Sequence, residues 1–214
     1  MRNARDHRQH QLDRLAQNRR RIAVEAARLM AEHGIRDYHQ AKLKAAHSLG
    51  LFQEADLPRN AEIEAARREH LRLFQADTQP QLLRQRREVA REAMQFFRRF
   101  EPRLVGAVLD GSADAHSAVC LHLYSDDPDS VAHLLHEHAI PCEIGSRRLR
   151  YAVDAVEEFP VFQFSADDVP VDLTVLPRER QRQAPLDRVS DRPMRRASLG
   201  ALEALLNGTD GDAP

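Results

Sequence analysis

Arg103-Leu-Val-Gly-Ala-Val-Leu-Asp-Gly-Ser112, followed by Ala118-Val-Cys-Leu-His-Leu-Tyr124, decides how this chain is read. Short apolar runs separated by small residues predict a strand over 103–109, a turn, and a second strand over 118–124. A third strand, 169–176, follows about fifty residues later and carries Asp172 between apolar neighbours. Outward from this frame, further strands are predicted at 148–153 and 159–165. Their close spacing implies antiparallel additions, so the sheet is mixed. A short helix fits between Asp127 and His138, with Asp127 or Asp129 as its cap, Pro128 in its first turn, and Val131, Leu134 and Leu135 facing inward. Residues 177–197 hold three Pro and seven Arg and read as an extended strap. Residues 198–206 predict one more helix, and the tail after it reads as disordered.

Before Pro102 the periodicity is helical. Ile22, Ala26, Leu29 and Met30 share a face that stops at Gly34, and Tyr38, Ala41, Ala45 and Leu49 share one that stops at Gly50. Pro58 opens a third helix and Pro80 a fourth, which closes before Pro102. The expected class is α+β: a helical region over 1–80, a mixed sheet with flanking helices over 81–197, and a C-terminal helix and tail over 198–214.

Composition narrows the function. Apolar residues are 42% and charged residues 30%, which predicts a soluble globular chain. There is no Trp and aromatics are 5%, so a stacking platform for single strands is poorly supplied. No apolar run approaches a membrane span, and the N-terminus lacks an apolar signal core, so a cytoplasmic setting without membrane partners is expected. Cys120 and Cys142 sit among apolar neighbours and read as free buried thiols. The net charge of −1 hides a split: residues 1–100 carry 21 Lys+Arg against 13 Asp+Glu, and residues 101–214 carry 11 against 20. The basic half, with Lys42 and Lys44 on a helix of recognition length, leaves a nucleic-acid partner open. Arg and Glu interspersed at helical spacing equally describe an ordinary solvated helix.

The order helix, strand, Gly/Ser turn, strand, helix and later strand with a central Asp resembles the nucleotidyltransferase fold of the DNA polymerase β-like superfamily, over roughly residues 85–177. That family's motif is an apolar residue, Gly, then Gly or Ser. Nine to thirteen residues later come two carboxylates one residue apart on a strand, and a third lies on a later strand. The resemblance implies a nucleotide ligand and Mg²⁺. Gly106, or Gly111 with Ser112, would form the turn that approaches the phosphates. Asp172 would be the third carboxylate, as metal ligand or catalytic base. Counted from Ala107, the paired positions fall on Ala118 and Cys120, and neither suits Mg²⁺. Asp126 and Asp127 could supply the missing ligands with Asp172, or could cap the following helix. Two expectations stand side by side: a degenerate member that binds a nucleotide or phosphate ligand, and an active Mg²⁺-dependent nucleotidyltransferase.

Other groups have competing readings. Arg148 and Arg150 share a strand face and could clamp a phosphate, or pair with Asp154, Glu157 and Glu158. His133 and His136 share a helix face and could hold Zn²⁺ or Ni²⁺, while His122 alternates with Leu121 and Leu123 as a sheet-face histidine. Arg195-Arg196-Ala-Ser198 resembles a basic phosphorylation pattern, and a helix cap at Ser198 explains the same serine.

Overall fold

The computed structural model describes residues 2–74, 78–152 and 154–208. Val153 and the tail from 209 onward, both covered by the expectations above, lie outside the described residues. The chain divides into two compact units, Met1–Asp77 and Thr78–Pro214.

The first unit is helical. Helices α1 (Arg2–His33), α2 (Tyr38–Ser48) and α3 (Asn60–Phe74) pack through Ile22, Ala26, Ala27, Ala41, Ala45 and Ile63. Small alanines at the contacts let the helix axes approach closely. Asp37 caps α2 by accepting from the Gln40 N–H at 2.8 Å. The α1 and α2 stretches end at Gly34 and Gly50, both at a φ of 66°, where a side chain would be strained. Helix α1 begins well before Ile22, through a stretch whose polarity gave no periodic signal. Two polar pairs tie this unit together: Asn18 Nδ2 donates to Asp56 at 3.1 Å in a buried contact, and Tyr38 Oη donates to Glu64 at 2.9 Å in a half-buried one. No helix among the described residues is long and apolar enough to cross a membrane.

The second unit is a five-stranded mixed sheet with helices packed on one face. Helix α4 (Gln79–Phe96) carries Pro80 in its first turn and leads to β1 (Arg103–Val105). The strand expected to run to Leu109 stops at Val105. Gly106, with φ 74° and ψ −155°, turns the chain, and Ala107–Asp110 coil into the short helix α5. Strand β2 (Val119–Tyr124), helix α6 (Asp129–Glu137) and strands β3 (Glu143–Ala152), β4 (Ala155–Ala166) and β5 (Val169–Leu176) follow. The sheet order is β1-β2-β5-β4-β3, with β2 and β5 parallel and every other pair antiparallel. Asp167 and Asp168, at φ 48° and 61°, make the tight turn between β4 and β5. The closing helix α7 (Leu199–Asn207) is part of this unit rather than an appendage, because Leu202 is fully buried in its core.

Period-two alternation sorts the sheet into two faces. Val119, Leu121, Leu123, Val171, Leu173, Val175 and Phe162 face α4, α6 and α7 and form the main core. Tyr124, Leu149, Tyr151, Phe159 and Leu176 form a smaller apolar cluster on the opposite face. Beside that cluster lie the polar residues of the site.

Candidate functional site

Register places the polar side chains in rows across the second face. Cys120 on β2 lies opposite Asp172 on β5, and Asp172 lies opposite Gln163 on β4. One row along, His122 lies opposite Thr174, and Thr174 opposite Val161. On β1, Arg103 lies opposite His122 and Val105 opposite Cys120. Residues opposite one another across a sheet share a face, so Arg103, Cys120, His122, Gln163, Asp172 and Thr174 all look the same way.

Asp172 is 3% exposed and its carboxylate is fully engaged. Arg147 Nη1 donates to Oδ1 at 2.8 Å, Arg147 Nη2 to Oδ2 at 2.6 Å, and Gln163 Nε2 to Oδ2 at 2.9 Å. Arg147 Nη1 also reaches Thr174 Oγ1 at 3.2 Å. This is the two-pronged guanidinium–carboxylate pair that fixes both direction and distance. Arg147 reaches it from the outer strand β3. Burial works against the guanidinium charge, but the hydrogen bonds and field of Asp172 outweigh it and hold the Arg147 pKa above its ordinary value.

His122 is 2% exposed, and its Nδ1 has no hydrogen-bond partner. Burial, then the charges of Arg147 and Arg196, push its pKa down to about 3, against a weaker opposing pull from Asp172. The imidazole is therefore neutral at physiological pH.

Asp126 and Asp127 are not brought to Asp172. Ser125 N–H donates to Leu176 O at 2.9 Å and Arg178 N–H donates to Asp126 Oδ1 at 3.0 Å, which seats Asp126 beyond the strand ends. Four strand steps carry β5 from Asp172 to its end at Leu176, about 13 Å at about 3.3 Å per residue, and Asp126 is held by Arg178 beyond that end. Asp127 Oδ1 accepts from the Asp129 N–H at 3.2 Å, a local turn at the start of α6. Asp127 instead lines a cleft of about 480 Å³ with Arg99, Ser130, His133 and Arg178.

Of the expected pair Ala118 and Cys120, Cys120 lies directly opposite Asp172, with His122 one row along. A thiol, an imidazole and a carboxylate already clasped by arginine do not form a Mg²⁺ site. Among the described residues no group of three or more His, Cys, Asp or Glu side chains could hold a metal ion. The expected Mg²⁺ does not fit the residues present.

The two candidate turns separate cleanly. Gly106 directly follows Val105 beside Cys120, and a Cβ there would meet nothing within 4 Å. Gly111 instead caps α5, its carbonyl accepts from Gln79 at 2.7 Å, and a Cβ would lie 3.9 Å from Leu83 of α4. Ser112 is buried, its N–H spent on Ala107 O at 3.0 Å. Arg86 pins the same loop through Ser117 O and Ala115 O at 2.8 and 2.7 Å. Gly111 and Ser112 therefore serve the loop's anchorage to α4.

Arg148 and Arg150 share a face, as expected, but it is the face opposite Asp172. Arg148 lies opposite Glu158, and Arg150 pairs with Asp191. Arg147 is the side chain that enters the site, and it was missed together with Gln163 and Thr174. A signal existed: Arg147 has the same parity as Leu149 and Tyr151, which point into the small apolar cluster. Starting the strand at 148 instead of 143 hid it. Cys120 and Cys142 are free thiols and half-buried rather than buried. Lys42 is half-buried on α2 while Lys44 is exposed. Comparison with protein-family models, with curated proteins and with solved structures finds no match to this chain.

Proposed function

We propose that this chain is a nucleotidyltransferase-like protein of degenerate type, which binds a nucleotide or another phosphate-bearing ligand without metal-dependent catalysis. The observation that carries the reading is the Arg147–Asp172 fork. A guanidinium neutralises the buried carboxylate in the place where a catalytic member would use a divalent cation. Ala118 and Cys120 stand where the resemblance expects the paired carboxylates, and Cys120 lies directly opposite Asp172. The strand arrangement supports the same reading: a first strand ending in a glycine turn, antiparallel to β2, and β2 parallel to the strand that bears Asp172.

Calorimetry with each nucleoside triphosphate, in EDTA and in Mg²⁺, tests it on the wild type and on Asp172→Ala. Binding of equal strength in both buffers is expected. Binding that requires Mg²⁺ and disappears in Asp172→Ala would return the chain to the active-enzyme reading. Absence of binding in every condition would remove the proposal.

A further inference from the structure

One group of cations on this face has no carboxylate, and a buried ring nitrogen next to it has no partner. Ala197 exchanges backbone hydrogen bonds with Leu104, N–H to O at 2.9 Å in each direction, so the strap runs alongside β1. Ala197 and Leu104 both face the helices. Arg196, the neighbouring residue, is thereby turned to the face that carries His122. Arg196 Nη1 donates only to neutral acceptors, Tyr124 Oη at 2.7 Å and Gln181 O at 3.1 Å. Arg103, directly opposite His122, donates to Pro102 O at 3.2 Å. Neither arginine has an ion pair among the described residues, whereas Arg147 on the other side of His122 has Asp172.

We infer that the surface between β1, β2 and the 194–197 segment is a phosphate site, with Arg196 and Arg103 as its cations and His122, in the tautomer that carries its proton on Nδ1, as its buried donor. This deepens the proposed function and rests on it. A buried polar atom without a partner is costly to the fold, and a phosphate oxygen that reaches Nδ1 removes that cost. Two guanidinium groups not already matched by carboxylates suit a dianion, because each can present paired N–H donors to its oxygens. The imidazole is uncharged, so it contributes direction, and the arginines contribute the attraction. Asp172 does not oppose the anion, since Arg147 already offsets its charge.

Two sources can supply this group, free phosphate and the terminal phosphate of a nucleotide. The test uses ¹⁵N-labelled protein in EDTA, titrated separately with inorganic phosphate and with ATP. The His122 ring nitrogens are followed by NMR and the dissociation constants measured by calorimetry. A moved Nδ1 resonance is expected, with binding weakened at least tenfold in Arg196→Gln and severalfold in Arg103→Gln. A response to both titrants identifies a free-phosphate site, and a response to ATP alone identifies a nucleotide site. ATP binding that leaves His122 unmoved and is equally strong in both variants overturns this inference while the nucleotide-binding reading survives. No binding of either titrant to the wild type overturns both. Arg103→Gln keeps the test decisive if Arg196→Gln fails to fold, because the guanidinium of Arg103 hydrogen-bonds to the carbonyl of its own chain neighbour and joins no other element that way.

Discussion

Alternate residues of one strand lead two different lives. Val119, Leu121 and Leu123 of β2 face α4 and α6 in a fully apolar core, where each touches many neighbours and depends on no single one. Cys120 and His122 face rows in which most polar atoms have one assigned partner, and the partner of His122 Nδ1 is absent from the fold. Apolar packing is non-directional and degrades in proportion to the volume removed. A buried polar row fails as a unit when one member is lost, because the remaining charge is stranded. The helix face therefore sets how stable this sheet is, and the polar face sets how specific it is.

The sharpest way to break this contrast is Asp172→Ala. It leaves the Arg147 guanidinium, 28% exposed along its side chain, without its carboxylate. The expected loss is about 3–5 kcal/mol by urea denaturation, similar to that of Leu121→Ala at about 2–5 kcal/mol. The two should then diverge on a second substitution. Asp172→Leu combined with Arg147→Met should restore most of the lost stability, since an apolar pair can replace a buried ion pair. A single Asp172→Ala loss below about 1 kcal/mol would mean that Arg147 escapes to water, and the row would not be a unit.

A second contrast lies in pH. The His122 value of about 3 is below its unfolded value, so between about pH 6.5 and about pH 3 the unfolded chain binds a proton that the folded chain refuses. Its contribution is thus present above about pH 6.5 and falls by about 1.4 kcal/mol per pH unit on acidification. The charged groups around it are Arg147, Arg196 and Asp172, with Arg103 opposite on β1, and Arg147 and Arg196 reinforce that refusal. Relative to wild type, His122→Gln should be more stable by about 2–3 kcal/mol at pH 4.5 than the same comparison gives at pH 7.5. Parallel stability curves for the two proteins would show that His122 gains a proton without cost, against the buried placement described above. Phosphate at saturating concentration should flatten the wild-type curve.

The sequence made the apolar face legible because alternation in β2 and β5, and the 3.6 spacing in α4 and α6, need only local counting. Asp172 stood out for the same reason, as one carboxylate in an otherwise apolar strand. Its partner did not, because a cross-strand contact depends on the register of β3 against β4 and of β4 against β5, and no short window of sequence encodes register. A strand expected only from 148 leaves Arg147 outside it, whereas β3 begins at Glu143 and holds Gly145 within the strand. Asp126 and Asp127 misled in the opposite direction. Nearness in sequence to β2 suggested nearness to Asp172, whereas the strand carries its end away at about 3.3 Å per residue.

Gly106 tests the boundary between the two faces, since it turns the chain from β1 on the sheet into α5 beside the helices. Its φ of 74° with ψ −155° is a conformation open in practice only to glycine, and no neighbour lies close enough to obstruct a methyl group. Gly106→Ala should cost about 1–3 kcal/mol for backbone reasons alone. Gly145→Ala, in a strand and with equally open surroundings, should be near neutral for stability. Equal effects at the two glycines would show that the turn after β1 relaxes to an ordinary conformation, and the strand-to-helix break at Val105 would lose its explanation.

The smallest effect separates two readings of one serine. Ser198 Oγ accepts from the Ala201 N–H at 3.3 Å, capping the helix whose Leu202 is buried against the main core. Ser198→Ala should lower stability by about 1 kcal/mol, and Ser198→Asp or Ser198→Asn should preserve it, because each supplies the same acceptor. A residue kept for phosphorylation after the Arg195-Arg196 pair would not follow that order. Its stability would be indifferent to alanine, and asparagine would be no better than alanine. The ranking Ser, Asp and Asn above Ala in thermal melts therefore assigns the hydroxyl to the helix. Because α7 packs on the apolar face, the loss should leave phosphate binding at Arg196 unchanged. A matching loss of binding would show that the strap transmits the position of α7 to the polar face, and the two faces would no longer be independent.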